Sequence, residues 1–328
     1  MYQMMSLPLY SGTLGEYNSW RDLGQELERL GCDGIEGVWG GEDLPKDLPA
    51  ELILGYHLIF YPDWLDFYRD DRAALKQKFG SLEVTASFYG GLGPDTLLEQ
   101  YRADLRRAVN LGARYVVFHV SDVSLEEGYT YRWLHTNQEV IDAAVEVVNL
   151  ILGEERWPFE FLVENQWWPG FTFTEPEETA RLLEGIRFAG KGILLDTGHL
   201  MNACTELKTE AEGADYIRRM LNRHGSLAKW VRGVHLHQSL SGAYVKAHTG
   251  SLPAGLPEDY MERFGVSYQH ILQIDQHRPW TDPAILPVLE QIGPRYLTHE
   301  LSSRGRVARA EAVGAQTRLL QQGGRMRV

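Results

Sequence analysis

Eight short apolar runs punctuate this chain, and a helical pattern separates each from the next. The clearest run is Gly192-Ile193-Leu194-Leu195-Asp196, which ends abruptly in a carboxylate with His199 just beyond. A continuous apolar run suits a strand buried on both faces, as in a parallel sheet. The others are read at 4–10, 34–39, 52–60, 115–120, 159–165, 231–237 and 296–300. Asn18 or Ser19 caps a first helix that Gly31 closes. Further helices are expected over 70–79, 95–111, 136–152, 174–188, 215–222 and 307–320. Thr136 with Glu139, and Thr174 with Glu177, have capping-box spacing. Asp282 caps another helix, with Pro283 in its first position and Gly293 at its end. Alternation of this kind calls for a parallel sheet with right-handed crossovers. Eight units call for closure into a (β/α)8 TIM barrel, an α/β fold, with an open doubly wound sheet as the alternative.

No composition break marks a second domain, so residues 1–328 read as a single barrel with a long loop insertion at about 238–281. A chain of 328 residues is the usual size for such a barrel and needs no disulfide to stabilise its core. The two cysteines, Cys32 and Cys204, have no framework spacing, which fits a reduced, cytoplasmic setting. No secretion signal is read at the N-terminus, and no apolar run approaches the roughly 20 residues that span a bilayer. The formal net charge of −13 argues against nucleic acid as a partner, because phosphate contacts need clustered Lys and Arg. Basic residues cluster only at Arg102, Arg106 and Arg107 and in the tail from Arg304 onward.

Almost every expected strand ends in a residue able to bind a metal. In order these are Glu36, His57, His119, Glu164, Asp196, His235 with His237, and Glu300; Asp275 and His277 follow in the long insertion. In a barrel the C-terminal strand ends converge on one mouth, where the chemistry sits. A lone histidine at a strand end is commonly structural, and Glu36 is expected to orient a loop or a Lys or Arg. Trp39, Trp167, Trp168 and Trp280 are the tryptophans weighed between core and substrate wall. Glu164, Asp196, His235 and Glu300 stand apart, because each ends a separate apolar strand. A buried charge there is costly unless it is paired or bound to a cation. Mixed imidazole and carboxylate donors suit Zn, Mn, Co or Fe better than Ca. No glycine-rich phosphate loop follows the first strand, which argues against a dinucleotide fold.

Four pieces carry a family resemblance: Leu-Leu-Asp196-Thr-Gly-His199, Val-His235-Leu-His237-Gln238, Val-Glu164-Asn165 and His-Glu300-Leu. With them the chain resembles the xylose isomerase-like barrels, which include ketose 3-epimerases, hydroxypyruvate isomerase and the endonuclease IV family. The epimerase likeness implies one divalent metal (Mn, Co, Mg or Zn) held by Glu164, Asp196, His235 and Glu300. It implies Glu164 and Glu300 as the acid–base pair and His199 as a substrate-binding residue. Gln238 departs from the acidic residue usual there, and His237 rivals His235 as the strand-seven ligand. The endonuclease IV likeness implies three zinc ions on His57, His119 and Glu164; on Asp196, His235 and Glu300; and on His199, Asp275 and His277.

The favoured function is a metal-dependent sugar, or sugar phosphate, isomerase or epimerase working by proton transfer through an enediolate. Its partner would be a small carbohydrate walled by Trp39, Trp167 and Trp168, with no membrane contact, and it is compatible with a homo-oligomer. The insertion would close over the site. The alternative is a multinuclear zinc phosphodiesterase, which gives His57, His119, Asp275 and His277 ligand roles. A third reading is a metal- or sugar-binding barrel without turnover. Dehydratases and lyases use the same metal site, and fold alone does not choose among them.

Overall fold

A computed structural model describes residues 1–323. The last part of the arginine-bearing tail lies outside the described residues. Eight parallel strands close into a barrel in strict sequence order. They are β1 (Tyr2–Leu9), β2 (Gly34–Trp39), β3 (Ile53–His57), β4 (Tyr115–His119), β5 (Glu160–Glu164), β6 (Lys191–Asp196), β7 (Val231–His235) and β8 (Tyr296–His299). β1 pairs with β8 in parallel, from Tyr2 opposite Tyr296 to Met5 opposite His299, and this pairing closes the ring. Registers between neighbours set the strand ends level: His119 lies opposite Glu164, and Asp196 opposite His235.

The helices form where the capping chemistry predicts, with exceptions. Ser19, rather than Asn18, caps Trp20–Leu30 by accepting from the Asp22 N–H, and Gly31 closes that helix at φ +75°. The capping box of Thr136 and Glu139 opens Asn137–Leu152. The box expected at Thr174 and Glu177 does not form. Pro176 takes the first turn, Thr174 instead shares a hydrogen bond with Thr172 at 2.7 Å, and the helix ends at Gly185, short of Phe188. Proline at the first helical position forgoes only an N–H that has no partner there, so the helix starts from it. A helix over Leu82–Tyr89, capped by Ser81, was not expected. Asp282 caps a short 3₁₀ turn, Pro283–Ile285, that runs on into Leu286–Ile292. The insertion is not a plain loop either. It carries helices at Gly242–His248 and Tyr260–Ile274, the second capped by Asp259. Pro253, Gly255 and Pro257 separate those two helices rather than emptying the segment of structure.

The barrel interior is filled from the bottom by Met4, Leu54, Tyr115, Val117, Leu162, Leu194 and Tyr296. The Tyr115 and Tyr296 rings stack at 4.3 Å. The larger core lies between the outer strand faces and the helices, and Trp280 is fully buried in it. Among the described residues no helix is long and apolar enough to cross a membrane.

Candidate metal centre

At the C-terminal strand ends, histidines and carboxylates gather into three clusters, in each of which the donor atoms lie within 4.8 Å of one another. The first is His57, His119 and Glu164. The second is Glu164, Asp196, His235 and Glu300. The third is His199, His237, Asp275 and His277. Glu164 belongs to both of the first two. The rivalry on strand seven resolves by position: His235 ends β7 and joins the second cluster, while His237, beyond the strand end, joins the third.

Local chemistry aims each group. Asn165, next to Glu164, clamps Asp196 through its main chain: its Oδ1 accepts from Asp196 N at 2.8 Å and its Nδ2 donates to Asp196 O at 3.1 Å. That clamp fixes β5 and β6 side by side at their ends. Asp196 caps a short helix, Thr197–Asn202, by accepting from the His199 N–H at 2.6 Å. His199 therefore sits in a first helical turn rather than a loop. One ring nitrogen of each of three histidines is spoken for: His57 Nδ1 lies 2.8 Å from Leu58 O, His199 Nδ1 lies 3.1 Å from Asn165 O, and His235 Nε2 lies 3.1 Å from Glu36 Oε2. With a divalent ion bound, donation at those atoms would leave the opposite nitrogen as a lone pair facing its cluster, as in most metal-binding histidines.

Glu36 thus has a different job from the one expected. Among the described residues it reaches neither a loop nor a Lys or Arg. Fully buried on β2, it takes the Tyr115 hydroxyl at 2.6 Å and the Thr298 hydroxyl at 3.0 Å, and holds His235 from below. The aromatic plug of the barrel is wired to the metal centre through this carboxylate.

The cluster chemistry fits a divalent cation. Among the described residues, the ion-pair partners of Glu164, Asp196, Asp275 and Glu300 are all histidines. Glu164 Oε2, Glu300 Oε2, Asp275 Oδ1 and His237 Nδ1 are buried without an aligned hydrogen-bond partner. Buried carboxylates in this number are stable only when neutralised. Burial opposes ionising Glu164, yet His119 and His235 hold its carboxyl well below the usual range. Burial also opposes charging His235, and Glu300 and Glu36 overcome it to raise that residue well above its ordinary value. For His277 the same contest, against Asp275, ends at about 9. His119 is lowered, because burial outweighs Glu164. Charged histidines here do the work of a cation; with a divalent ion bound, neutral imidazoles serve as ligands.

The site opens at one side. His119, His277 and Glu300 keep 16%, 17% and 20% of their side-chain exposure, while Glu164, Asp196 and His235 keep 1% or less. Phe60, 47% exposed, lays its ring 4.5 Å from that of His119. It was missed in the sequence because a phenylalanine closing an apolar run reads as core. Of the expected substrate wall, Trp167 lies 5.1 Å from the His199 ring and 4.2 Å from Trp168. Trp39 is engaged elsewhere: the Arg107 guanidinium covers its ring at 3.8 Å and its Nε1 donates to Glu42 O. Gln238 pairs main chain to main chain with Arg278, and its side-chain oxygen has no partner.

A sequence model described as xylose isomerase-like TIM barrel matches residues 25–321. The chain belongs to this family. Solved structures of similar fold cover nearly all of the chain. An L-ribulose 3-epimerase superposes with a TM-score of 0.54 at 13% identity, covering 99% of this chain and 96% of its own. Mannonate dehydratase from Streptococcus suis serotype 2 gives 0.53 at 13%, covering 99% and 94%. Endonuclease IV from Thermus thermophilus gives 0.50 at 16%, covering 98% and 100%. At such identities the likeness establishes the fold. No curated protein sequence matches the chain. Fold and clusters together make this a divalent-metal site at the catalytic end of a xylose isomerase-like barrel.

Proposed function

We propose that this xylose isomerase-like barrel is a multinuclear, metal-dependent phosphoester hydrolase with a small phosphorylated substrate. One observation carries the reading: the Glu164 carboxylate is divided between two clusters. Its Oε1 faces His199 at 3.2 Å and His235 at 3.3 Å, and its Oε2 faces His119 at 3.1 Å and His57 at 3.4 Å. A carboxylate so placed suits a bridge between two ions, which would supply a nucleophilic water at neutral pH and neutralise the attacking and leaving oxygens. His57 and His119 would complete one position, and Asp196, His235 and Glu300 the other. Glu300 is the most accessible of these carboxylates, and it is the group placed to take a proton from the incoming water at its Oε1. Phe60 would give the substrate an apolar face. The net charge of −13 leaves no broad basic surface for duplex nucleic acid, which points to a small substrate.

A proton-transferring sugar isomerase or epimerase is the second reading. It is favoured by the completeness of the second cluster, which includes both glutamates such a reaction needs. It leaves His57, His119, Asp275 and His277 without a role. It also asks Glu164 to move a proton while both its oxygens face histidines.

Elemental mass spectrometry of protein purified without added metal, with assays on bis(p-nitrophenyl) phosphate and on a ketose panel, separates the two. Two or more ions per chain with nitrophenolate release supports hydrolysis. About one ion per chain, with ketose epimerisation and no phosphoester cleavage, would replace this reading by the second.

A further inference from the structure

The last helix, Arg306–Gln322, packs beside Trp20–Leu30 on the outside of the barrel, and one stripe of it is left uncovered. Val307, Ala310, Gly314 and Thr317 recur along it at spacings of three and four. With Leu30 they line a groove of about 500 Å3 between the two helices. Val307 is 72% exposed, more than any other large apolar side chain among the described residues. A lone exposed apolar residue is ordinary. One at the head of an open groove floored by alanine and glycine is a seat for a helix, because small side chains let a second helix axis come close.

The charges along the groove divide by edge. Beside Trp20–Leu30 they are paired: Arg306 meets Asp22 at 2.7 Å and Glu26 at 2.9 Å, and Arg29 lies 3.6 Å from Glu26. On the outer edge stand Glu311 and Arg318, both exposed, and neither has an ion-pair partner among the described residues. About two helical turns, ~10.5 Å, separate them along the axis. Arg318 leans back over Gly314, where a Cβ would stand 3.3 Å from its Nη1. The glycine thus lets an unpaired cation lie on the small-residue stripe itself.

This pattern selects its occupant. A purely acidic partner would satisfy Arg318 and oppose Glu311, and a purely basic one the reverse. A second copy of the same helix satisfies both. An isologous interface must be complementary to itself. Laid antiparallel about a two-fold axis between Gly314 and Ala315, two copies set Glu311 of each opposite Arg318 of the other. That axis falls midway between the two charges and at the smallest residues of the stripe. Val307 of each copy then reaches the last turn of the other helix.

We propose that the outer face of Arg306–Gln322 is a two-fold interface on which a second copy of this chain docks, helix antiparallel to helix, with Glu311 and Arg318 paired between the copies. The interface is separate from the chemistry of the mouth, since none of its side chains belongs to a histidine–carboxylate cluster.

The test is sedimentation velocity over a concentration series, on the full chain as wild type, Glu311→Arg, Arg318→Glu and the variant carrying both changes. Both positions are exposed, so the fold should survive each change, and circular dichroism checks it. Wild type should sediment as a dimer. Each single reversal should raise the dimer dissociation constant about tenfold or more, because the two-fold axis brings like charges together twice. The double reversal should restore the wild-type constant, since exchanging the two signs preserves both pairs. A wild type that stays monomeric throughout the series would overturn the proposal. A dimer indifferent to both single reversals would place the contact on another face and overturn it equally. Weakening by both single reversals without recovery in the double variant would refute the antiparallel pairing of these two residues.

Discussion

His235 donates its Nε2–H to Glu36 Oε2 at 3.1 Å, between two fully buried side chains from opposite parts of the barrel. The bond commits the other nitrogen, Nδ1, to the carboxylates above it, with Glu300 Oε2 at 2.8 Å and Glu164 Oε1 at 3.3 Å. It also sets the ring plane before any ligand arrives. Carboxylate-to-histidine bonds of this kind tune metal affinity from one shell out.

Glu36→Ala should therefore weaken metal binding about 10- to 100-fold while leaving all the ligating side chains in place. Competition with a chromophoric chelator measures the affinity. An unchanged constant would mean that Glu36 serves only the barrel interior.

Glu164→Gln and Glu300→Gln should differ in kind. Glu164 faces both of the first two clusters, so its neutral replacement should release the ions of both. Glu300 belongs to one cluster, and its replacement should release one ion at most. Elemental analysis of the two purified variants reads this directly, and equal losses would exclude a bridging Glu164.

His135 supplies a pH signature independent of the metal centre. It lies 2.9 Å from Asp122 and 3.2 Å from Asp66, and hydrogen bonds to these carboxylates raise it to about 10. Its unfolded value is about 6.5. A folded value above the unfolded one gives stability that is fully present below the unfolded value and is lost as pH rises through the folded one. Wild type should thus exceed His135→Gln in stability most below pH ~6.5, with the gap closing towards pH ~10. Urea unfolding of both proteins across that range measures it, and a gap independent of pH would refute the assignment.

Gly55→Ala tests the plug beneath the site. A Cβ at Gly55 would stand 2.3 Å from Tyr115 Cζ, inside a fully buried ring. Overpacking of this kind costs about 1–3 kcal/mol. Denaturant unfolding should show that loss, and metal affinity should fall with it, because the same Tyr115 hydroxyl supports Glu36.

Much of this protein is legible in its sequence for one reason. Each barrel strand is an apolar run, and a polar residue at its end has to serve the mouth. Glu164, Asp196 and His235 could be picked out because β5, β6 and β7 end on them, and Asp275 and His277 because two donors alternate in a polar stretch. Helix starts at Ser19 and Thr136 were equally readable, since a cap is a local hydrogen bond. Asp259 gave the same local signal for the helix it caps, but the Pro and Gly residues just before it masked that start.

Distance in sequence hid the rest. Glu36 and His235 are 199 positions apart, and only barrel closure brings β2 and β7 face to face across the interior. Which clusters form, and that Glu164 serves two of them, depends on strand register to within one residue; a slip by one would turn each donor out of the barrel. The partition of His235 and His237 between different clusters follows from where β7 stops. The eight apolar runs and their terminal donors were determined by the sequence alone, because burial and capping act over a few residues. The grouping of those donors into three sites was decided by the tertiary structure, because it is a property of the closed barrel.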